Sequence, residues 1–172
     1  MCYNYLIDTF EGEKMENVEK LVNLLIEKKL HITTAESCTG GMVASSIVDV
    51  ANASKVFDCA YVTYANEAKE RYLGVLPETI KEFGVVSEEV TRQMALGAMK
   101  EASADVSLVT SGVAGPTGGT DRHPIGMVCF GVGIKGNVYT ATKYYGEIGR
   151  NNVRKEATRF IINYAIELLE KM

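Results

Sequence analysis

Ten consecutive residues, Ile125 to Ile134 (IGMVCFGVGI), carry no charged side chain. A strand that is apolar on both faces has to be covered on both, so this segment predicts a central strand with helices above and below it. It falls short of the roughly 18 apolar residues of a membrane span, and no other stretch of the chain reaches that length. Lys135-Gly136-Asn137 then turns the chain into Val138–Tyr145, whose Thr, Tyr and Lys content suits an edge. The two strands are expected to form an antiparallel hairpin.

Upstream, helical and strand-like patterns alternate. Met15, Val18, Leu21, Val22, Leu25 and Ile26 recur at helical spacing, and Lys28-Lys29 suits a helix C-terminus. His31–Ala35 is short and β-branched, Gly41–Val50 resumes a helical pattern of small residues, and Val56–Tyr64 reads as the next strand. From Asn66 to Lys100 the chain is helical in pieces punctuated by Gly74 and Pro77, with Ser87 the expected N-cap of the longest. Val106–Ser111 is strand-like, and Val153, Ala157, Phe160, Ile161, Tyr164 and Leu168 mark a closing amphipathic helix. This order predicts an α/β fold: a three-layer α/β/α sandwich with a mixed, mainly parallel sheet ending in an antiparallel hairpin, and ligands near the carboxyl ends of the parallel strands.

The net charge of −4 and the lack of a long basic run disfavour a phosphate-backbone binder, so a small substrate is expected rather than nucleic acid. Cys2, Cys38, Cys59 and Cys129 are scattered, with no CxxC pair and only His31 and His123 beside them. That spacing supports neither a zinc site nor a disulfide framework; neither metal nor cofactor is expected, and reduced thiols point to the cytoplasm. The N-terminus lacks the basic start and apolar stretch of a signal peptide, and no membrane association is expected.

In such a fold the loops that follow parallel strands converge on one edge, which brings together AESCTGG at 35–41, YANEAK at 64–69 and SGVAGPTGG at 111–119. With L-G-V, G-V-V-S, P-x-G and a late R-x-x-x-R, these motifs stand in an order that resembles the C-terminal domain of the CinA family. The resemblance covers roughly residues 15–170 and leaves only a short extension, residues 1–13, outside a single domain spanning 1–172. Stand-alone members of that family are nicotinamide mononucleotide amidohydrolases. The resemblance therefore implies removal of ammonia from the carboxamide of nicotinamide mononucleotide to leave nicotinic acid mononucleotide, in pyridine nucleotide recycling.

Amide hydrolysis without a metal requires a nucleophile, a base and donors for the oxyanion. Ser37 matches the family's serine nucleophile, Lys69 its base, and Tyr64 is placed to relay a proton or donate to developing charge. Lys69 acts as a base only when neutral, and its ordinary pKa of about 10.4 makes that form scarce. If Asn66 caps the helix, Lys69 falls in its first turn, where the dipole disfavours a cation by about 0.3–1 kcal/mol, less than one pKa unit. Desolvation has to supply the rest. Ser37 has a second reading as a turn serine capping the following helix. Cys38 is a competing nucleophile but lacks a partner base, since His31 lies some 20 Å of extended chain away. Glu36 either orients Lys69, binds the substrate's ribose, or pairs with a neighbouring helix.

For the substrate's phosphate the chain offers two seats. Thr39, Gly40 and Gly41 can present N–H groups at a helix start, and Arg150 and Arg154, spaced i and i+4, can clamp phosphate oxygens unless they pair with an acid such as Glu147. Gly149 stands where the family has an acidic residue, which places Arg154 more firmly than Arg150. Asn66 and the loop residues Gly115, Pro116, Thr117, Gly118 and Gly119 are expected to form the opposite wall, with glycine N–H groups around the carboxamide. Two other classes stay open: a non-catalytic nucleotide-binding or regulatory module linked to competence or DNA damage, and an amidase for another small amide. The edge strand, with Tyr139, Tyr144 and Tyr145, suits self-association into a homodimer or larger assembly.

Overall fold

A computed structural model of the protein describes the backbone of residues 3–172 and the side chains from Glu16 onward. The side chains of Cys2, Met15 and the extension at 1–13 lie outside the described residues. Helix α1 (Tyr3–Lys28) leads into β1 (Ile32–Glu36), α2 (Met42–Val48) and β2 (Phe57–Val62), followed by α3 (Asn66–Leu73), α4 (Pro77–Phe83) and α5 (Glu88–Ala102). The chain then runs through β3 (Val106–Gly112), β4 (Met127–Ile134) and β5 (Asn137–Tyr144) to α6 (Arg150–Glu170).

The sheet order is β2-β1-β3-β4-β5. Strand β1 pairs parallel with both β2 and β3, while β3–β4 and β4–β5 are antiparallel. The three-layer sandwich, mixed sheet and closing hairpin are therefore as expected. Helices α1, α2 and α6 share one core beneath the sheet, with Leu21, Leu25, Ile47, Phe130 and Ile161 fully buried. On the other face α3 and α5 pack Leu73, Val90, Met94 and Ala98 against Ala35 and Val109.

Every residue of β1 and β4 is buried, as their apolar and β-branched composition requires, whereas β2 and β5 alternate towards solvent as edges. Lys135 and Gly136 form the hairpin turn, both with positive φ, the geometry that matches the twist of adjoining strands. On β5, Tyr139 and Tyr144 are exposed, and two of its carbonyls accept hydrogen bonds from the flanking layers: Arg92 to Val138 and Tyr164 to Thr140.

The parallel strands β1, β2 and β3 end at one edge. Because the chain leaves β1 for β2 on one side and reaches β3 on the other, the order switches at β1, where open α/β sheets leave a crevice for ligands. Close contact between α3 and α5 places α3 over that crevice. Gly97 makes the contact possible, since a Cβ there would lie 1.9 Å from the Leu73 carbonyl oxygen. No described helix is long and apolar enough to cross a membrane.

Candidate functional site

The crevice holds a cavity of about 240 Å³ lined by Ser37, Tyr64, Asn66, Lys69, Thr117 and Arg150, among others. Ser37 is the first residue after β1, and its N–H donates to the Thr110 carbonyl at 3.0 Å, extending the β1–β3 ladder by one step. Gly40, with φ of 60°, donates its N–H back to the Ser37 carbonyl. Helix α2 starts only at Met42 with Gly41 as its N-cap, so Ser37 is not the capping residue. Ser37 is 9% exposed and lines the cavity.

Lys69 comes from the opposite layer. It is fully buried, and Nζ donates to Ser37 Oγ at 3.3 Å, to the Thr63 carbonyl at 2.7 Å and to the Tyr64 carbonyl at 3.3 Å. No carboxylate accepts from it among the described residues. Burial without a counter-ion lowers its pKa to about 8, with Glu67 and Cys38 opposing weakly. The expectation that Asn66 caps α3 is corrected: Ala65 is the N-cap and offers no side-chain bond, so Lys69 lies a residue deeper than first-turn placement implied. Desolvation, rather than the dipole, sets its basicity. Two of its three partners are backbone carbonyls, which leaves Ser37 Oγ as the one side-chain oxygen it meets among the described residues.

Cys38 is buried beside Ser37, and burial pushes its thiol up to about 12. A thiol held protonated is a packed small side chain, not a nucleophile. Cys38, Cys59 and Cys129 are all free, and no described cluster of His, Cys, Asp or Glu is placed to hold a metal ion.

Glu36 is neither an orienting group for Lys69 nor a ribose ligand. It is fully buried and accepts five hydrogen bonds: from Thr34 Oγ1 (3.2 Å), Thr39 Oγ1 (2.6 Å), Gly41 N (2.9 Å), Val43 N (3.1 Å) and Ala44 N (2.8 Å). Its carboxylate occupies the positive end of α2 and satisfies the N–H groups that a helix start leaves unpaired. The expected phosphate seat at Thr39, Gly40 and Gly41 is corrected for the same reason, because the protein's own anion already fills it. Thr39 Oγ1 is also 2.7 Å from Thr110 Oγ1.

The two arginines part company. Arg150 Nη1 donates to the Gly115 carbonyl at 3.0 Å and Nη2 to Tyr64 Oη at 3.1 Å, so its guanidinium spans the mouth of the cavity. Arg154 lies outside the cavity lining and donates instead to the Thr39 carbonyl at 2.8 Å and to Asn151 Oδ1. Among the described residues neither has a carboxylate within ion-pair distance, so pairing with Glu147 does not occur. Of the two arginines, Arg150 is the one that lines the cavity, while Arg154 is committed to the Thr39 carbonyl.

Tyr64 is 62% exposed, and its hydroxyl meets Arg150; what reaches Lys69 is its carbonyl. Gly115, Thr117 and Gly118 line the opposite wall, whereas Pro116 and Gly119 do not. Gly115, with φ of 75°, also has no room for a Cβ, which would lie 2.7 Å from Ile125. Val85, Val86 and Ser111 complete the wall without having been singled out as site residues. Ser111 Oγ donates to the Val85 carbonyl at 2.8 Å and so draws the segment before α5 onto the end of β3. The G-V-V-S motif was the available signal for that segment.

A serine after a parallel strand, a buried lysine from the facing helix and an arginine at the rim define an α/β domain with a serine–lysine cleft at the switch point of its sheet. The chain belongs to the CinA family: the model of the CinA C-terminal domain matches residues 14–172. A CinA-like protein of Kosmotoga olearia is 48% identical over 155 residues, covering 89% of this chain and 37% of that protein. Another CinA-like protein, of Chlorobaculum tepidum, is 44% identical over 145 residues, 84% of this chain and 31% of that one. The chain thus spans about two fifths or less of the length of such relatives. A crystal structure of a competence-damaged protein (CinA) superfamily protein from Klebsiella pneumoniae superposes with a TM-score of 0.89 at 33% identity, covering 92% of this chain and 99% of that one. One from Escherichia coli gives 0.87 at 36% identity, covering 90% of each.

Proposed function

We propose that the protein hydrolyses the carboxamide of nicotinamide mononucleotide to nicotinic acid mononucleotide and ammonia, with Ser37 as nucleophile and Lys69 as base. The observation that carries the reading is the 3.3 Å contact between Lys69 Nζ and Ser37 Oγ, with Nζ fully buried and its other partners two backbone carbonyls. With a pKa of about 8, roughly one molecule in ten holds Lys69 neutral at pH 7. In that form the amine takes the Ser37 proton as Oγ attacks the carboxamide carbon, and returns it to the departing ammonia. Water enters where ammonia left, gives a proton to the same amine as it attacks the acyl carbon, and the amine passes that proton to the departing Ser37 Oγ, which frees the acid and restores both residues.

Arg150 suits the phosphate because its charge faces solvent at the rim and is met by only a carbonyl and a phenol. Tyr64, tied to Arg150, stands at the substrate's entrance rather than beside the proton being moved. Ammonia release from nicotinamide mononucleotide, measured for wild type, Ser37→Ala, Cys38→Ala and Lys69→Ala, tests the reading. Loss in the first and third variants with activity kept in the second is expected. Loss in Cys38→Ala alone would overturn the assignment, and a wild type that binds the nucleotide without turnover would make the domain a regulatory module.

A further inference from the structure

We infer that Glu36 and Arg154 are positioning residues that brace the turn carrying Ser37, and that Arg154 serves the nucleophile rather than the substrate's anion. The inference rests on the reading of Ser37 as the nucleophile. Residues 37–41 have to hold Oγ within reach of an amine delivered from the other side of the sheet, and their own composition, with two glycines at positive φ, supplies little rigidity.

The rigidity comes from two charges of opposite sign. On the N–H side, the Glu36 carboxylate gathers Gly41, Val43 and Ala44 and the Thr39 hydroxyl. On the carbonyl side, Arg154 reaches from α6 to the oxygen of Thr39, the residue whose carbonyl also accepts from Met42 N. An anion on the amide hydrogens and a cation on the carbonyl polarise the turn in the same sense as the dipole of α2. Gly40 lies directly under the guanidinium, where a Cβ would be in ordinary contact at 3.5 Å from Nη2, and its φ of 60° is what favours glycine there. Arg154 therefore has one guanidinium nitrogen committed to the turn and another to Asn151, and it lies outside the cavity lining, where Arg150 alone of the pair stands.

The two roles separate kinetically. A ligand for phosphate changes KM and does so only for a phosphorylated substrate; a brace for the nucleophile changes kcat for any substrate. The experiment compares nicotinamide mononucleotide with the corresponding nucleoside, which lacks the phosphate, in wild type, Arg154→Gln, Arg154→Lys and Arg150→Gln. Alongside, the rate of Ser37 sulfonylation by phenylmethanesulfonyl fluoride is followed by intact mass.

Arg154→Gln is expected to lower kcat about 10- to 100-fold for both substrates alike, to keep KM within about threefold, and to slow Ser37 sulfonylation by a similar factor. Arg154→Lys, which keeps a donor for the Thr39 carbonyl, recovers part of both rates. Arg150→Gln is expected to raise KM at least about tenfold for the nucleotide alone. A rise in KM for the nucleotide alone in Arg154→Gln, or an unchanged sulfonylation rate, overturns the brace. If wild type turns over neither substrate, the proposed function fails while sulfonylation still decides the inference; if Arg154→Gln does not fold, the same readings on Arg154→Lys decide it.

Discussion

The two connections that flank the cleft are built in opposite ways. The turn after β1 is buried at Ser37, Cys38 and Thr39, and its Thr39 hydroxyl and carbonyl and Gly41 N–H are held by Glu36 at the end of the strand, by Thr110 and by Arg154. The loop after β3, residues 113–124, is tied by Val113 to the start of β4, but beyond Pro116 it is mostly exposed and held at its edge by Arg122 on the Glu82 carbonyl and by the Thr120–His123 pair. The difference follows from the tasks proposed for them. A nucleophile has to be fixed against a base from another layer, within fractions of an ångström. A wall for the substrate need only be closed when substrate is present, so solvent-side contacts of low strength suffice.

The largest effect expected from breaking that comparison on its buried side is chemical. Lys69→Met should lower turnover about 10³-fold or more, since among the described residues the cavity lining holds no carboxylate or imidazole and no second lysine. In wild type, kcat/KM should climb about tenfold per pH unit up to the Lys69 pKa of about 8 and then level off. A pH–rate profile flat from pH 6 to 8 would break the assignment.

The same lysine should mark stability. Its native pKa of about 8 lies below its unfolded value of 10.5, so between those pH values the unfolded chain binds a proton that the native protein has lost. Native stability therefore rises with pH across that window, while below pH 8 the whole penalty of the buried ammonium is present. The gain of wild type over Lys69→Met between pH 7 and pH 10.5 is expected to be about 3 kcal/mol, read from urea unfolding at each pH. Parallel stability profiles for the two proteins would show that Nζ is solvated in the native state.

Next in size is Thr39→Val, which keeps the shape of the buried side chain and removes its hydroxyl. The Glu36 carboxylate loses its 2.6 Å donor, and Thr110 Oγ1 loses its partner. A hydrogen bond to a charged buried group is worth about 1.5–3 kcal/mol, so a loss near 2 kcal/mol in unfolding free energy is expected. A cost below about 0.5 kcal/mol would mean that the turn is not held as tightly as the loop is loose.

Which of these features could be read from the chain depended on whether they were local. The hairpin, the Ser87 cap, the buried strand at Ile125–Ile134 and the order of elements all follow from neighbours in sequence, and Ser87 does accept from Val90 N. Ser37, Lys69 and Tyr64 were legible only through their motifs. Three assignments were out of reach, one because its partners are backbone groups and two because they depend on partners far along the chain. By residue type Glu36 suits Lys69, a ribose or a neighbouring helix, whereas the backbone N–H groups of Gly41, Val43 and Ala44, invisible to residue type, are what satisfy it. Arg150 and Arg154 share a helical face, but Arg154 is drawn to a carbonyl 115 positions away and Arg150 to one 35 positions away. Val85 and Val86 carry only the G-V-V-S motif to mark them, and it is Ser111, 26 positions away, that draws them to the cleft.

The smallest effect is the matched change on the exposed side. Thr120→Val removes one hydroxyl, as Thr39→Val does, and takes away the hydrogen bond that His123 N donates at 3.0 Å. Water replaces that acceptor at once, because Thr120 is exposed, so the expected loss is within about 0.5 kcal/mol. The same atoms deleted from the two connections should thus differ about fourfold or more in cost, through burial and through the charge of the partner that Thr39 loses. The ratio of the two losses, measured in one urea series, is the direct reading of how unequally the two walls are held. A ratio near one would mean that the loop after β3 is as much a part of the fixed frame as the turn after β1, and that closing it over substrate requires no movement.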